Sequence, residues 1–236
     1  MDIKEIKQTG KTAFRANYWR CVVVAFLLGI LTAGTSAAAG SSAPVPGTDI
    51  TTQEQEMTDA FNSLTPDQQV QFVTIIFGTL SVILLISMLL KIFLSNPLQV
   101  GGFRFFRKNV TDPSTGIGVV GEGFGNYGHT FLTLLLRDIF LALWTMLFVI
   151  PGLVKAYSYR LVPYLIKDHP ELSATETITR SRELMNGHKM EAFILDLSFI
   201  GWYLLGVITL NLVNIFWTDP YRHSASAAFY LRLTEA

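Results

Sequence analysis

The chain has 236 residues, half of them hydrophobic and only 15% charged, with a mean hydropathy of +0.39. A soluble domain carries about 25% charged residues, so this balance argues against a water-soluble enzyme, and the apolar content excludes disorder. Eighteen basic residues balance eighteen acidic ones, leaving no bulk basic field for nucleic acid, and the one cysteine, Cys21, excludes a disulfide scaffold. The charge is unevenly placed. No Lys or Arg occurs between Arg20 and Lys91, whereas Asp49, Glu54, Glu56, Asp59 and Asp67 all fall in that interval.

Residues 1–17 read as a cytoplasmic amphipathic leader carrying Lys4, Lys7, Lys11 and Arg15. Residues 18–38 are apolar beyond Arg20, and a bilayer core of roughly 30 Å needs about 20 helical residues. This stretch imitates a secretory signal peptide, with Ala37-Ala38-Ala39 placed like a cleavage site, but the long leader argues for a retained span. Gly29, Ala33 and Ala37 recur every four residues and allow close helix approach, within one subunit or between two. Residues 40–69 lack any basic residue and read as an extracellular loop. Residues 70–90, without one ionisable side chain, form the second span.

The segment 97–129 follows. Phe103, Phe105 and Phe106 interleave with Arg104, Arg107 and Lys108, which suits a cytoplasmic interfacial helix and makes those three cations candidates for lipid headgroups. A third span, 130–150, carries the adjacent Arg137 and Asp138. Pro151-Gly152 reads as a sharp turn into a short return arm, 153–167, with Lys155, Arg160 and Pro163. Residues 168–189 form a cytoplasmic linker helix opened by the capping box Ser173 to Glu176 and closed by Gly187. A further span, 192–217, holds Asp196, Asn211 and Asn214, and Asp219-Pro220 reads as a second turn into the arm 221–233 with Arg222 and Arg232.

These segments predict an all-α, polytopic membrane protein of about six transmembrane helices, including two proline-turn hairpins with short return arms. Re-entrant or surface-lying arms remain an open alternative. The basic clusters before the first span, after the second and between the hairpins place both termini in the cytoplasm of a multi-pass cell-membrane protein. Intramembrane charges need a partner, a cavity or an interfacial escape. Counting from the proline turns at 1.5 Å per residue, Asp138 falls roughly 20 Å, Arg160 roughly 14 Å and Arg232 roughly 18 Å down. The arithmetic predicts a cluster of Arg137, Asp138, Arg160 and Arg232, with Asp138 paired to Arg160, or to Arg232 as the alternative. It leaves Asp196 at the cytoplasmic boundary, near Lys167 or Lys189.

Catalytic machinery is not visible. The glycine-rich run Gly121 to Gly125 follows no strand, so it does not read as a dinucleotide site. His129, His169, His188 and His223 are scattered without metal-ligand spacing, so neither metal nor cofactor is expected.

Several runs are familiar: Asn96-Pro97-Leu98-Gln99-Val100-Gly101-Gly102-Phe103, Ile150-Pro151-Gly152 with Tyr157, Tyr159 and Tyr164, and Asp168-His169-Pro170-Glu171-Leu172-Ser173. Ser181 to Lys189, Ser198-Phe199-Ile200-Gly201-Trp202, and Pro220-Tyr221 with Phe229-Tyr230 complete the set. Together they resemble the bacterial integral membrane family called domain of unknown function 975, and more distantly the membrane domain accompanying some glycerophosphodiester phosphodiesterases. The resemblance implies fold and location and carries no catalytic residues. The expected function is a non-catalytic accessory, scaffold or lipid-associated component, contacting anionic headgroups and a protein partner at the cytoplasmic face. The alternative is a small transporter or permease built around the intramembrane charges. Oligomeric state is not legible.

Overall fold

The structure, a computed structural model, describes residues 2–36 and 58–235, which contain helices and no strand. Residues 37–57, with the cleavage-like alanines and most of the acidic loop, lie outside the described residues. The chain divides into two compact units, Met1–Thr32 with Leu94–Ala236, and Ala33–Phe93.

The described part of the smaller unit is dominated by one helix. α1 (Ile3–Ala16) and α2 (Tyr18–Ser36) precede it, so Pro66–Leu90 is α3. Its start is fixed locally: the Gln68 side-chain Oε1 accepts from the Thr65 amide at 3.0 Å, and Pro66 opens the first turn, where a missing donor costs nothing. No residue of its window Pro66–Ser87 is buried. A helix apolar on every face and exposed on every face belongs in hydrocarbon or against a partner.

In the larger unit, α4 (Asn96–Thr111) leads through a 3-10 segment (Ile117–Phe124) to α5 (Tyr127–Leu147), α6 (Val149–Ser158) and α7 (Val162–Asp168). Next come α8 (Ala174–Leu184), α9 (Lys189–Leu197), α10 (Ile200–Ile208), a π-helical turn (Asn214–Thr218) and α11 (Asp219–Thr234). The core gathers around α11. Its run Ser224 to Ala228 is all Ser and Ala, so neighbouring backbones come close. A Cβ on Gly10 of α1 would lie 2.6 Å from the Ala225 backbone. The buried face of α1 is Ile6, Gly10, Ala13 and Phe14, at helical spacing, so the leader is part of the core.

α1 and α2 meet at 105°. A buried amide pair holds the bend: Asn17 donates to Asn109 Oδ1 at 2.7 Å, and Asn109 donates at 3.0 Å to the Ala13 carbonyl, one of the orphan acceptors at the end of α1. By length and composition, three described helices can cross a membrane, Pro66–Ser87, Tyr127–Leu147 and Lys189–Ile208, and four if the bent pair counts as one span.

Both turns differ in position from the sequence expectation. The first reversal falls at Phe148, an extended residue (φ −155°, ψ 139°), and Pro151 sits inside the first turn of α6. The fold-back is close, since a Cβ on Gly152 would lie 2.8 Å from Thr145 Cα. The second reversal is made by Leu210 and Asn211, both left-handed (φ 49° and 69°). Asn tolerates that region better than most residues. Asp219-Pro220 does not turn the chain; Pro220 lies in the first turn of α11. Prolines that read as breakers act here as helix starters, because the first turn needs no amide donor.

The linker helix forms as its capping box dictates, with the Ser173 amide donating to Glu176 Oε2 at 2.8 Å and Gly187 at φ 84° beyond its end. The helix also packs against the core. Ile178 is buried with Leu134, Tyr159, Val162 and Ile166, and the Ser181 hydroxyl donates to the Ser158 carbonyl at 2.8 Å.

Candidate functional site

The charged centre of the larger unit is Asp196. α6 cannot run straight into α7, because Pro163 has no amide and its ring crowds the carbonyl four residues back. The chain therefore breaks at Tyr159 to Leu161, and Arg160 projects from the break. Its guanidinium forks onto Asp196, with Nη1 to Oδ2 at 2.6 Å and Nη2 to Oδ1 at 3.0 Å, and Nη2 also donates to Ser226 Oγ at 2.9 Å. Arg222 Nε reaches Asp196 Oδ1 at 3.2 Å, and the Tyr157 hydroxyl donates to Oδ2 at 3.3 Å. One carboxylate thus joins the α6–α7 break to α9 and α11. Nearby, the Tyr203 hydroxyl donates to Asp219 Oδ1 at 3.0 Å. Two acids, Asp196 and Asp219, offset two arginines, so the centre is close to neutral.

The expected cluster of Arg137, Asp138, Arg160 and Arg232 is not assembled. Arg137 bonds its neighbour Asp138 at 2.7 Å, Arg160 takes Asp196, and Arg232 pairs with Glu5 at 3.0 Å near the chain ends. The physical reason is the position of the turns. Measured from Leu210–Asn211, Asp196 lies roughly 21 Å and Arg222 roughly 17 Å along their helices, and Arg160 lies roughly 18 Å from Phe148. They meet because they share a level. Asn211 was the signal, and the proline at 220 concealed it.

The interfacial cations are also engaged. Arg104, Arg107 and Lys108 lie three and four residues apart on one face of α4. Glu122 of the 3-10 segment receives Arg104 Nε and, at 2.8 Å, Lys108 Nζ. Asp168 at the end of α7 lies 3.3 Å from Arg104 and 3.0 Å from Arg107, and accepts the Tyr230 hydroxyl at 2.9 Å. The glycine-rich run makes this approach feasible: a Cβ on Gly123 would lie 1.9 Å from the Pro97 carbonyl oxygen. Partial burial raises the affinity of Glu122 for a proton, but hydrogen bonds from Lys108 and Arg104 outweigh it and hold the carboxyl below its ordinary range.

The histidines are held locally. His129 Nε2 lies 2.8 Å from the Leu172 carbonyl, His188 lies 2.7 Å from Glu191, His169 lies 3.0 Å from Glu171, and His223 stacks on Phe106. Among the described residues, no group of three His, Cys, Asp or Glu side chains is placed to hold a metal ion.

The model of a family described as Protein of unknown function (DUF975) matches residues 145–236. The match begins at the end of α5 and runs through α11, so it contains Arg160, Asp196 and Arg222, while the run Asn96 to Phe103 lies before it. No curated protein and no solved structure matches the chain, and the likeness to the phosphodiesterase-associated domain has no counterpart among these comparisons. The similarity to the DUF975 family of unknown function thus covers residues 145–236, which hold the charged centre and the helix at the middle of the core.

Proposed function

We propose that this is a non-catalytic, lipid-associated scaffold or accessory protein of the bacterial cell membrane, with both termini cytoplasmic and two hairpins seated in the bilayer. The observation that carries this reading is the character of the hairpin tips. Met146, Phe148 and Ile150 at the first tip and Val207, Ile208 and Leu210 at the second are 66–88% exposed. Large apolar side chains at a turn suit hydrocarbon and do not suit water. The charged residues lie roughly 15–21 Å from those tips, about half to two thirds of a 30 Å core. With the charges near the cytoplasmic boundary, the tips end inside the bilayer, and α2 and α3 supply the full crossings. Six full crossings would instead carry the ion centre to mid-bilayer and push the apolar tips into water.

The charges a catalytic or transport site would use are engaged with one another, and the exposed tips and basic surface suit lipid and a cytoplasmic protein partner. Single cysteines at Phe148 and Leu210 in a Cys21→Ser background test the seating. Neither should react with an impermeant maleimide in intact cells or in inside-out vesicles, and both should react once detergent dissolves the bilayer. Labelling of both from outside intact cells would establish six crossings and overturn the seating. Proteoliposomes should show no ion leak above empty vesicles, and a leak abolished by Asp196→Asn would favour the transporter.

A further inference from the structure

We infer that Lys155, Arg182 and Lys189 form a binding site for the phosphate of an anionic phospholipid, with its acyl chain lying on Phe140, Trp144 and the exposed tip of the first hairpin. This deepens the lipid-associated reading above and rests on it. The three cations line one open groove of about 350 Å³. Lys155 and Arg182 also line a second groove of about 360 Å³, shared with Phe140, Trp144 and Thr179.

Unlike Arg104 and Lys108, this triad has no carboxylate partner among the described residues. The charges acting on Lys155 are the like charges of Arg182 and Lys189. Glu183, the acid among the described residues that line the groove, is paired to Arg180 at 3.3 Å. Lys155 instead lies over the Trp144 ring, 4.5 Å from its centroid. Three mutually repelling cations on one groove attract an anion, and a phosphodiester, whose two non-bridging oxygens share one negative charge, accepts from more than one of these donors at once.

The apolar side separates a lipid from a free phosphate. Trp144, Leu143, Met146, Leu147, Ile150 and Leu153 expose 37–86% of their surface from the groove to the hairpin tip. Lys155 stands about 10 Å from Phe148 along α6, about 8 Å deeper than Arg160, and its flexible stem carries the ammonium toward Arg182 and Lys189 at the boundary when the tip lies in hydrocarbon. A cationic head joined to an apolar track is the shape of an amphiphile.

The test uses the full chain purified in detergent, titrated with phosphatidylglycerol, phosphatidylcholine, glycerol phosphate or inorganic phosphate, and followed by thermal unfolding and native mass spectrometry. Phosphatidylglycerol should raise the unfolding temperature and be retained, and the other three should not. Lys155→Gln combined with Arg182→Gln should weaken the apparent affinity roughly 30-fold, while Arg232→Gln, whose cation is paired with Glu5 away from the groove, should leave it unchanged. Inorganic or glycerol phosphate acting as strongly as the lipid would overturn the acyl track, and an unchanged response in the double variant would overturn the site. If the double variant unfolds too early to titrate, Lys189→Gln and Lys155→Gln singly must each weaken retention, or the site is refuted. Resistance of the protein to carbonate extraction separates the two readings: an extractable protein fails the membrane seating, and an embedded one indifferent to phosphatidylglycerol fails this site alone.

Discussion

α3 and α11 differ in a way that hydropathy reverses. α3 is apolar throughout its window Pro66–Ser87 and buries none of it within the protein. α11 carries Asp219, Arg222, His223 and Arg232, yet Pro220, Tyr221, Leu233 and the whole run Ser224 to Leu231 are buried. In water the apolar helix would be the core. In a bilayer the surroundings are already apolar, so burying Leu or Ile against protein gains little, and close packing and hydrogen bonding decide which helix goes inside. The Ser and Ala run supplies the packing, and Asp196, Glu5 and Asp168 satisfy the polar groups.

The largest effect should come from the contact that small residues permit. Gly10→Leu puts side-chain atoms where the Ala225 backbone stands, and should destabilise the larger unit by about 3 kcal/mol in detergent. Gly78→Leu in α3 meets nothing within 4 Å of its Cβ and should be neutral or slightly stabilising, since glycine is the poorer helix former. Equal losses from the two changes, read by thermal unfolding, would erase the contrast.

Next comes the polar tie. Asp196→Asn leaves Arg160 and Arg222 facing each other in a partly buried site, and should cost about 2–3 kcal/mol. Adding Arg160→Met should restore part of that loss, because the like-charge contact is removed. A double variant no more stable than Asp196→Asn would show that the fork, rather than the repulsion, dominates.

Further out the effects shrink. With its carboxyl held below the ordinary range, Glu122 contributes stability that is present above the unfolded value of about 4.3 and lost as pH falls through the folded one. Because Glu122 is 41% exposed, the contribution should be below about 1 kcal/mol and should shrink with added salt. Glu122→Gln should flatten this part of the acid profile. Pro151→Ala should be smallest of all, within about 0.5 kcal/mol, since a first-turn residue needs no amide partner.

Much of the helical content was legible. The apolar stretches at 70–90 and 130–150 and the capping box at Ser173 stand where periodicity and turn chemistry put them. The turns were not, because a proline marks a helix start as readily as a helix end, and the residue that reverses the second hairpin is Asn211, embedded in an apolar run. The misplacement spread to the charges: a turn set nine residues late moved Arg232 into a cluster to which Arg222 belongs. The cations of α4 read as lipid-headgroup candidates from their aromatic neighbours, and only the tertiary fold brings Glu122 and Asp168 to them.

The pairing of α1 with α11 has a consequence for the order in which the molecule is made. Glu5 and Arg232 bond across 227 residues of chain, and Tyr221 donates to the Lys7 carbonyl across 214. A ribosome delivers α1 long before α11, so the contacts of α1 with Tyr221 and Arg232 must wait until the chain between them has been made. Closing so long a loop is entropically slow but adds only logarithmically with length. α11 therefore acts as a clasp: it closes on α1 across more than 200 residues, and the larger unit locks only once that contact has formed.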